Sequence, residues 1–393
     1  MSINSFYQTT SKGHRCNMKI AFILGGGTYW QSLYRVTSDV AEEIRKQGHQ
    51  VDFVFWENPG PIEGNDKYLK IFGLNKESKL SKVFSKPLIA LLGKHFYHFL
   101  FSPLFCWQLK SKLQAEKYQA IFYHGMSCIP LHADKDDHYV VVHSCKYENF
   151  VERYTGVRRH IFRWLYKKIY SGKKLLTVSQ DVQDDMTQKI GARPESIENI
   201  YNGFDFDRLK AEIAKPAPDS LPDSFIMSAG RPDRTKRFDI LLRAYAKSNK
   251  TYPLVIFGDG KRLNQLKQLA NELGIAKDVF FAGFCNNLLP AFRRAKLYVS
   301  SSDVEGLPTV IVESLVACTP VVATDAGGCR ELLNGELSKW VVPRRDIDAL
   351  ARAMNDILQN PPEVSYNNIA FLDYRRIAKH YIALSEQLKG HQR

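Results

Sequence analysis

The feature that most constrains the fold of this chain is a regular alternation of short apolar runs with longer stretches of helical spacing. In the stretch 32–47, for example, Leu33, Val36 and Val40 recur on one face. Runs that predict strands lie in the first half at 18–24, 50–55, 119–123, 139–143, 174–178 and 198–201, and in the second half at 224–228, 253–257, 278–281, 296–300, 320–323 and 339–341. This alternation is typical of α/β domains with parallel sheets.

The length of the chain and one connector predict two domains. A chain of 393 residues exceeds what one hydrophobic core usually organises. Between the two series of strands, residues 215–220 form a proline-rich polar segment of the kind found at domain boundaries. Ligands of open α/β sheets bind outside the carboxyl ends of the strands, so two facing domains would form a cleft at those ends.

One segment of the second half carries chemical information. A predicted strand leads through Ser301-Ser302-Asp303 to Glu305, the loop Gly306-Leu307-Pro308 and an apolar helix whose only charge is Glu313. The start of such a helix offers free N–H groups that suit a phosphate or diphosphate. Because a buried carboxylate is costly without a partner, Glu313 would face a polar ligand or a buried cation. The alternative is that Glu305 caps the helix and Glu313 lies on a solvated face.

This arrangement resembles the donor-binding motif of glycosyltransferase family 4, whose members are retaining enzymes of the GT-B fold that use nucleotide sugars. The resemblance extends from about residue 18 to about residue 388. Five further segments match in the expected order: the first strand and glycine loop at 19–27, His143 after 139–142, Val178-Ser179 with 200–203, Ala229-Gly230-Arg231 with Lys236, and the glycine turn 257–260.

The resemblance implies two Rossmann-like parallel-sheet domains that face a central cleft. We expect an acceptor domain at 18–205, a nucleotide-sugar domain at 206–365, and a C-terminal helix within 366–393 that crosses back to the first domain. Residues 1–17 are polar and predict a flexible tail without a signal peptide.

The resemblance also assigns a cationic clamp. Arg231 and Lys236 would hold the departing diphosphate of the donor, where cations stabilise the negative charge that develops. The alternative is that they are two solvated surface cations. The family usually has glycine after this lysine, whereas Arg237 stands in this chain and would either crowd the loop or add a third cation.

The remaining donor contacts follow from the same resemblance. Glu305 would contact sugar hydroxyls, and Glu313 would accept hydrogen bonds from the ribose. Gly27 would let the backbone approach a phosphate or the acceptor, although a triple glycine is also an ordinary tight turn. The implied donor-binding residues are Gly27, Arg231, Lys236, Gly258, Glu305, Gly306, Leu307, Pro308, Thr309 and Glu313.

Two histidines follow predicted strands of the first half. His143 would lie near the reacting carbon and, with Glu305, Arg231 and Lys236, complete the catalytic set. His124 is a second candidate on the acceptor side. The alternative for His143 is a satisfied core residue at a strand end.

The net charge of +14 is concentrated in two windows. Residues 66–117 contain ten lysines and three acids, and residues 151–174 contain eight Arg or Lys and one Glu. These windows predict attraction to an anionic membrane surface, with Lys79, Lys82 and Lys86 on the acceptor side. The apolar stretch 87–109 is either interfacial or a pair of buried helices. No nucleic-acid-binding pattern accompanies the charge, so nucleic acid is not an expected partner.

The cysteines and carboxylates give no metal signature. The seven cysteines show no paired metal spacing, which favours reduced core residues in a cytosolic protein. No aspartate-pair metal motif is present, so we expect neither a metal nor another cofactor.

These features predict a cytoplasmic hexosyltransferase at the inner face of the cytoplasmic membrane. It would move a hexose, with retention, from a UDP- or GDP-sugar to a lipid-linked saccharide, as in lipopolysaccharide biosynthesis. A sugar-nucleotide epimerase or phosphorylase on the same scaffold is one alternative, and it would need no acceptor. A catalytically silent binding subunit is the other.

Overall fold

The structure is a computed structural model that describes residues 17–24, 30–55, 68–71, 99–125 and 138–391, together with positions 87 and 97. Several predicted features lie outside these residues: most of the N-terminal tail, Gly27, Lys79, Lys82 and Lys86.

The first sheet contains the strands of the first half of the chain. They are β1 (Lys19–Leu24), β2 (Gln50–Phe55), β3 (Leu69–Ile71), β4 (Ala120–His124), β5 (His138–Val142), β6 (Lys174–Thr177) and β7 (Ser196–Asn199). Their order is β3-β2-β1-β4-β5-β6-β7, and all neighbouring pairs are parallel. Every residue of β4 and β5 is buried, as expected for parallel strands covered on both faces.

The second sheet repeats this plan. Its strands are β8 (Phe225–Ala229), β9 (Leu254–Phe257), β10 (Val279–Gly283), β11 (Ala295–Ser300), β12 (Val321–Thr324) and β13 (Val341–Val342). Their order is β10-β9-β8-β11-β12-β13, again with parallel pairs throughout. In both sheets the order reverses between the first and fourth strands, so both carboxyl edges have the switch point at which α/β sheets bind ligands.

Helices connect the strands in the described part of the chain. They are α1 (Trp30–Lys46), α2 (Ser102–Glu116), α3 (Gly156–Tyr170), α4 (Gln180–Asp184), α5 (Phe206–Ile213), α6 (Phe238–Lys247), α7 (Leu263–Glu272), α8 (Thr309–Val316), α9 (Cys329–Leu332), α10 (Ile347–Gln359) and α11 (Tyr374–His391). Shorter π-helical or 3₁₀ segments lie at Tyr147–Val151, Asp185–Ile190, Leu289–Arg293, Gly335–Trp340 and Tyr366–Leu372.

The fold class is the predicted one, with two Rossmann-like parallel sheets. Every predicted strand is observed, and its ends agree with the observed ends to within two residues. Strand β3 was not predicted, because it has only three residues and a lysine at its centre, which is too short to show a period of two.

The C-terminal helix α11 packs on the first sheet. The ring of Tyr381 lies 5.1 Å from the ring of Phe22 in β1 and 4.8 Å from that of Phe122 in β4. At the crossing point, Phe204 donates its backbone N–H to Leu372 and accepts one from Tyr374. The last helix therefore belongs to the core of the first half of the chain.

We expect Tyr381→Ala to destabilise the protein by about 3–4 kcal/mol, because it removes a buried aromatic ring that packs on Phe22 of β1 and Phe122 of β4. Urea unfolding would measure this loss, with Lys379→Ala on the exposed face of α11 as the matched control. Equal stability of the two variants would contradict this packing of α11.

One lysine of the basic windows has a structural role. Lys70 lies in β3 and forms ion pairs with Asp52, at 3.2 Å, and with Glu116. Tyr118 also donates its hydroxyl to Asp52, at 2.7 Å. Lys70 belongs to the lysine-rich window 66–117, and a buried carboxylate on the neighbouring strand holds its ammonium group.

The described part of the stretch 87–109 is divided between the core and the surface. Cys106 and Leu109 on α2 are buried, and Leu109 packs with Ile23 and Tyr123. Trp107, on the opposite side of the helix, is exposed. Within the described residues, no helix combines the length and apolar character that crossing a bilayer would require.

Candidate functional site

Most described residues of the predicted site follow the carboxyl ends of strands. His143 comes directly after β5, Arg231 lies two residues after β8, and Gly258 comes directly after β9. The segment 301–308 connects β11 to α8. Since the carboxyl ends of parallel strands share one edge of a sheet, these positions gather at the ligand-binding edge of each sheet.

The two edges touch at Gly306 and His143. A Cβ atom on Gly306 would lie 2.1 Å from the backbone oxygen of His143 and 3.4 Å from the Cα atom of Ser144. Nearby, a Cβ atom on Gly328 would lie 3.1 Å from the Cβ atom of Ser179. The backbone of the loop before α8 can therefore reach the first sheet only because it carries glycine there.

The predicted basic and acidic groups of the second sheet bind one another. Lys236 donates from Nζ to Oε1 of Glu305 at 2.6 Å, and the hydroxyl of Ser302 donates to the same oxygen at 2.6 Å. Burial acts to lower the pKa of Lys236, but the charge and hydrogen bond of Glu305, with the charge of Asp233, raise it above its usual value. Lys236 is therefore a charged group held in position by Glu305.

Arg231 stands at the surface beside the glycine turn that follows β9. Its Cγ atom would lie 3.3 Å from a Cβ atom on Gly260. Gly258 itself packs on the second sheet, because a Cβ atom there would lie 1.9 Å from the backbone oxygen of Gly230. Gly258 thus brings the turn close to Gly230 and Arg231, and its φ of +136° is one that glycine adopts readily.

Arg237 neither crowds the loop nor adds a third free cation. It adopts a left-handed backbone conformation, with φ of +47°, which costs an L-residue about 1 kcal/mol or more relative to glycine. Its guanidinium donates to Asp239, at 2.9 and 3.0 Å, and to Asp303, at 2.9 Å. These charge-assisted bonds offset the backbone cost and occupy the group.

Glu313 lies on the buried face of α8, so it is not a solvated surface residue. Oε1 is 3.7 Å from Nη2 of Arg35, which lies on α1 beyond the cleft. Burial raises the pKa of Glu313 to about 7, and the charge of Arg35 opposes that rise only in part. A carboxylate poised to ionise near neutral pH, with a weak partner, suits a ligand that offers hydroxyl donors.

The two predicted histidines form a hydrogen-bonded pair whose rings are tilted by 31°. Nδ1 of His124 lies 2.9 Å from Nε2 of His143. Burial and the charge of Lys146 lower the pKa of His143 to about 3, and burial and His143 lower the pKa of His124 well below its usual value. Both rings are therefore neutral at physiological pH.

The pair has a favoured tautomer. Nε2 of His124 is buried without a hydrogen-bond partner in the described part of the chain, so it is the cheaper position to leave unprotonated. The proton of His124 then lies on Nδ1 and is donated to Nε2 of His143, which leaves the proton of His143 on Nδ1. His124 is fully buried and contacts His143. Its assignment to the acceptor side stays a prediction.

Further contacts between the halves were not predicted from the sequence. Glu331 accepts hydrogen bonds from the backbone N–H of Gln180, at 2.9 Å, and from the hydroxyl of Tyr201, at 2.7 Å. Glu148 forms an ion pair with Arg344 at 2.9 Å. Nothing local in the sequence signals these pairs, because their members are far apart in the chain.

One group of possible metal ligands exists among the described residues. Cys145, Glu148 and Asp181 each offer an atom within 4.8 Å of the others. Glu148 already binds Lys189, at 2.7 Å, and Arg344, and two neighbouring positive charges oppose the binding of a metal cation. Independence from metals therefore stays an expectation.

Comparison with known proteins identifies the family. The model described as Glycosyltransferase Family 4 matches residues 34–208, and the model described as Glycosyl transferases group 1 matches residues 210–370. The two matches follow one another along most of the chain. The chain therefore belongs to the glycosyltransferases, and specifically to the family 4 type.

Two curated relatives illustrate the range of similar sequences. The N-acetylgalactosamine-N,N'-diacetylbacillosaminyl-diphospho-undecaprenol 4-alpha-N-acetylgalactosaminyltransferase of Campylobacter jejuni is 29% identical over 52% of this chain and 55% of its own length. The lipopolysaccharide core biosynthesis glycosyltransferase LpsE of Rhizobium meliloti is 33% identical over 39% of this chain and 43% of its own length. The chain thus matches about half the length of these two relatives.

Solved structures share the fold over nearly the whole chain. Sucrose-phosphate synthase from Thermosynechococcus elongatus has a TM-score of 0.73 at 19% identity, over 95% of this chain and all of its own. HepE from Anabaena, in complex with UDP and glucose, has a TM-score of 0.61 at 18% identity, over 95% of this chain and 98% of its own. WaaG, described as a glycosyltransferase involved in lipopolysaccharide biosynthesis, has a TM-score of 0.63 at 15% identity, over 95% of this chain and 98% of its own. These likenesses establish the GT-B fold.

The raised pKa of Glu313 predicts a pH-dependent stability. A carboxyl whose pKa rises on folding stabilises the native state fully below its unfolded pKa of 4.5, and that stability is lost as the pH rises through about 7. Relative to Glu313→Gln, the free energy of unfolding of the unmodified chain should fall by about 3 kcal/mol across this window. Urea unfolding of both proteins at a series of pH values measures the difference. If the difference in unfolding free energy between the two proteins stays constant with pH, the raised pKa of Glu313 is contradicted.

Proposed function

We propose that this protein transfers a hexose, with retention, from a UDP- or GDP-sugar to a lipid-linked saccharide. The observation that supports this most is the contact of Gly306 with His143, which brings the basic and acidic residues of the second sheet against the histidine of the first. The leaving diphosphate would lie against Arg231 and Lys236, where fixed cations stabilise the charge that develops in the transition state.

Glu305 would have two roles in this reaction. Without substrate its carboxylate holds Lys236 and Ser302. One oxygen carries both of these bonds, so the other is available to accept a hydrogen bond from a sugar hydroxyl. Donor binding therefore needs no rearrangement of the Lys236–Glu305 pair, and the pair positions the cation and the sugar together.

The neutral His143 would act as a hydrogen-bond donor and not as a general base. In the tautomer argued above, its Nε2 atom would accept from His124, and its protonated Nδ1 would donate to a substrate oxygen. Deprotonation of the incoming hydroxyl then falls to the leaving phosphate on the same face of the sugar, which agrees with retention.

Features of similar proteins support the choice of substrates. HepE was solved with UDP and glucose, and the relative from Campylobacter jejuni is named for a diphospho-undecaprenol acceptor. LpsE and WaaG are named for lipopolysaccharide biosynthesis. A lipid-linked acceptor in envelope glycan synthesis is consistent with all four.

A donor panel tests the reaction. We expect sugar transfer from a UDP- or GDP-sugar to a lipid-linked saccharide, and a loss of about 100-fold or more in Glu305→Gln, since one transition-state hydrogen bond has this magnitude. Glu336→Gln, at an exposed position, is the matched control. Undiminished transfer by Glu305→Gln would count against the site, and donor turnover without any acceptor would favour an epimerase or phosphorylase.

We also propose that the protein binds an anionic membrane through the outer face of α3. Val157, Ile161 and Trp164 form a stripe along this helix and are 74%, 40% and 48% exposed. Every charged residue of the helix is basic, and Arg158, Lys167 and Lys168 are exposed. Apolar side chains beside uncompensated basic ones are what an anionic lipid surface attracts.

Co-sedimentation with vesicles tests this surface. We expect binding to vesicles that contain anionic lipid, weaker binding at high salt, and a loss of about tenfold or more in Trp164→Glu, which buries a charge in the interface. Phe284→Glu, at an exposed aromatic residue of the second half, is the matched control. Equal binding to anionic and neutral vesicles, unaffected by Trp164→Glu, would exclude the proposed surface.

A further inference from the structure

A buried lysine three residues after His143 forms no ion pair within the described residues. Lys146 is 6% exposed, and its ammonium group forms one hydrogen bond, to the hydroxyl of Ser144 at 3.1 Å. The centroid of the Phe150 ring lies 5.8 Å from its Nζ atom. Burial lowers the pKa of Lys146 to about 8, and the charge of Asp185 opposes that lowering only in part. No carboxylate of the described residues forms an ion pair with it. A lysine ammonium has three donors, so two of them are unused.

The nearest acidic group does not satisfy this cation. Asp185 is fully buried, and its Oδ2 atom accepts the backbone N–H groups of Lys146, at 2.6 Å, and Tyr147, at 3.0 Å. Its Oδ1 atom has no partner in the described part of the chain, yet the ammonium group of Lys146 does not bond to it. The ammonium group of Lys146 therefore bonds to Ser144, and the charge of Asp185 acts on it without a hydrogen bond.

Ser144, which binds the ammonium group of Lys146, contacts the loop before α8. Ser144 is the residue whose Cα atom would contact a Cβ atom on Gly306, at 3.4 Å. The charge of Lys146 also contributes to the lowered pKa of His143. The ammonium group thus belongs to the segment 143–146, which contacts the loop that carries Glu305.

A buried charge without an ion-pair partner is costly, and a bound anion would lower that cost. The proposed reaction offers phosphoryl groups from two sources, the diphosphate of the donor and the phosphate of a lipid-linked acceptor. Arg231 and Lys236 face the donor from the second half of the chain, whereas Lys146 lies in the first half. Resting on the proposed function, we propose that Lys146 and Ser144 form an anion subsite that binds a phosphoryl group of the substrates.

Calorimetry with two probes tests the subsite and separates the sources. UDP, or GDP if that binds better, reports the donor diphosphate. Inorganic pyrophosphate, added to the full chain already saturated with that nucleotide, reports an acceptor phosphate. Lys146→Met and Ser144→Ala remove the donors, Lys146→Arg keeps the charge, and Lys247→Met removes a lysine of an exposed ion pair as the matched control.

We expect Lys146→Met to weaken one of the two probes by about tenfold or more, the size of a lost hydrogen bond to a charged group. Ser144→Ala should weaken the same probe less, and Lys146→Arg should retain most of the affinity. Weaker pyrophosphate binding assigns the subsite to the acceptor, and weaker nucleotide binding assigns it to the donor.

The inference is overturned if Lys146→Met changes neither affinity by more than about twofold, or if pyrophosphate does not bind and nucleotide affinity is unchanged. Lys146 would then serve only to hold Ser144. This result differs from failure of the proposed function, in which neither nucleotide binds the unmodified chain. Thermal unfolding of each variant checks that it is folded. If Lys146→Met does not fold, Lys146→Arg and Ser144→Ala still test the subsite.

Discussion

The site depends on one close approach of two backbones, that of Gly306 to the carbonyl group of His143. Each sheet alone offers only half of the proposed transferase site: cations and carboxylates on the second, and a neutral histidine pair on the first. A side chain on Gly306 would overlap the His143 oxygen, because even a Cβ atom would lie 2.1 Å from it. Absence of that side chain allows the donor loop and the histidine to share one small volume.

Charge pairing prepares this volume for an anionic ligand. Lys236 is held by Glu305, and Arg237 and Arg345 are held by Asp303, so these cations are fixed before any substrate arrives. Fixed charges stabilise a transition state without the cost of reorganising them during the reaction. Lys146 differs from these cations, since no carboxylate in the described part of the chain forms an ion pair with it. Lys146 is therefore the position at which a bound phosphoryl group would supply an ion pair that the described residues do not.

The sequence predicts the local features of this protein better than its long-range pairs. Strand positions follow from apolar runs, and the loop from Glu305 to Glu313 follows from a motif within nine consecutive residues. The pair of Glu148 and Arg344 could not be foreseen, because its members are 196 residues apart and neither has a distinctive neighbourhood. The role of Lys70 could not be foreseen for a related reason: composition shows a cluster of lysines, but not that Asp52 on the adjacent strand holds this one. Arg237 could be flagged as a departure, yet only its contacts show how its charge is used.

The structure of this chain with UDP or GDP bound would test the proposed donor site. We expect a diphosphate within hydrogen-bonding distance of Arg231 and Lys236, a ribose at Glu313, and the Gly306 loop still in contact with His143. A nucleotide ordered on another surface, or no binding by either nucleotide at saturating concentration, would exclude this site.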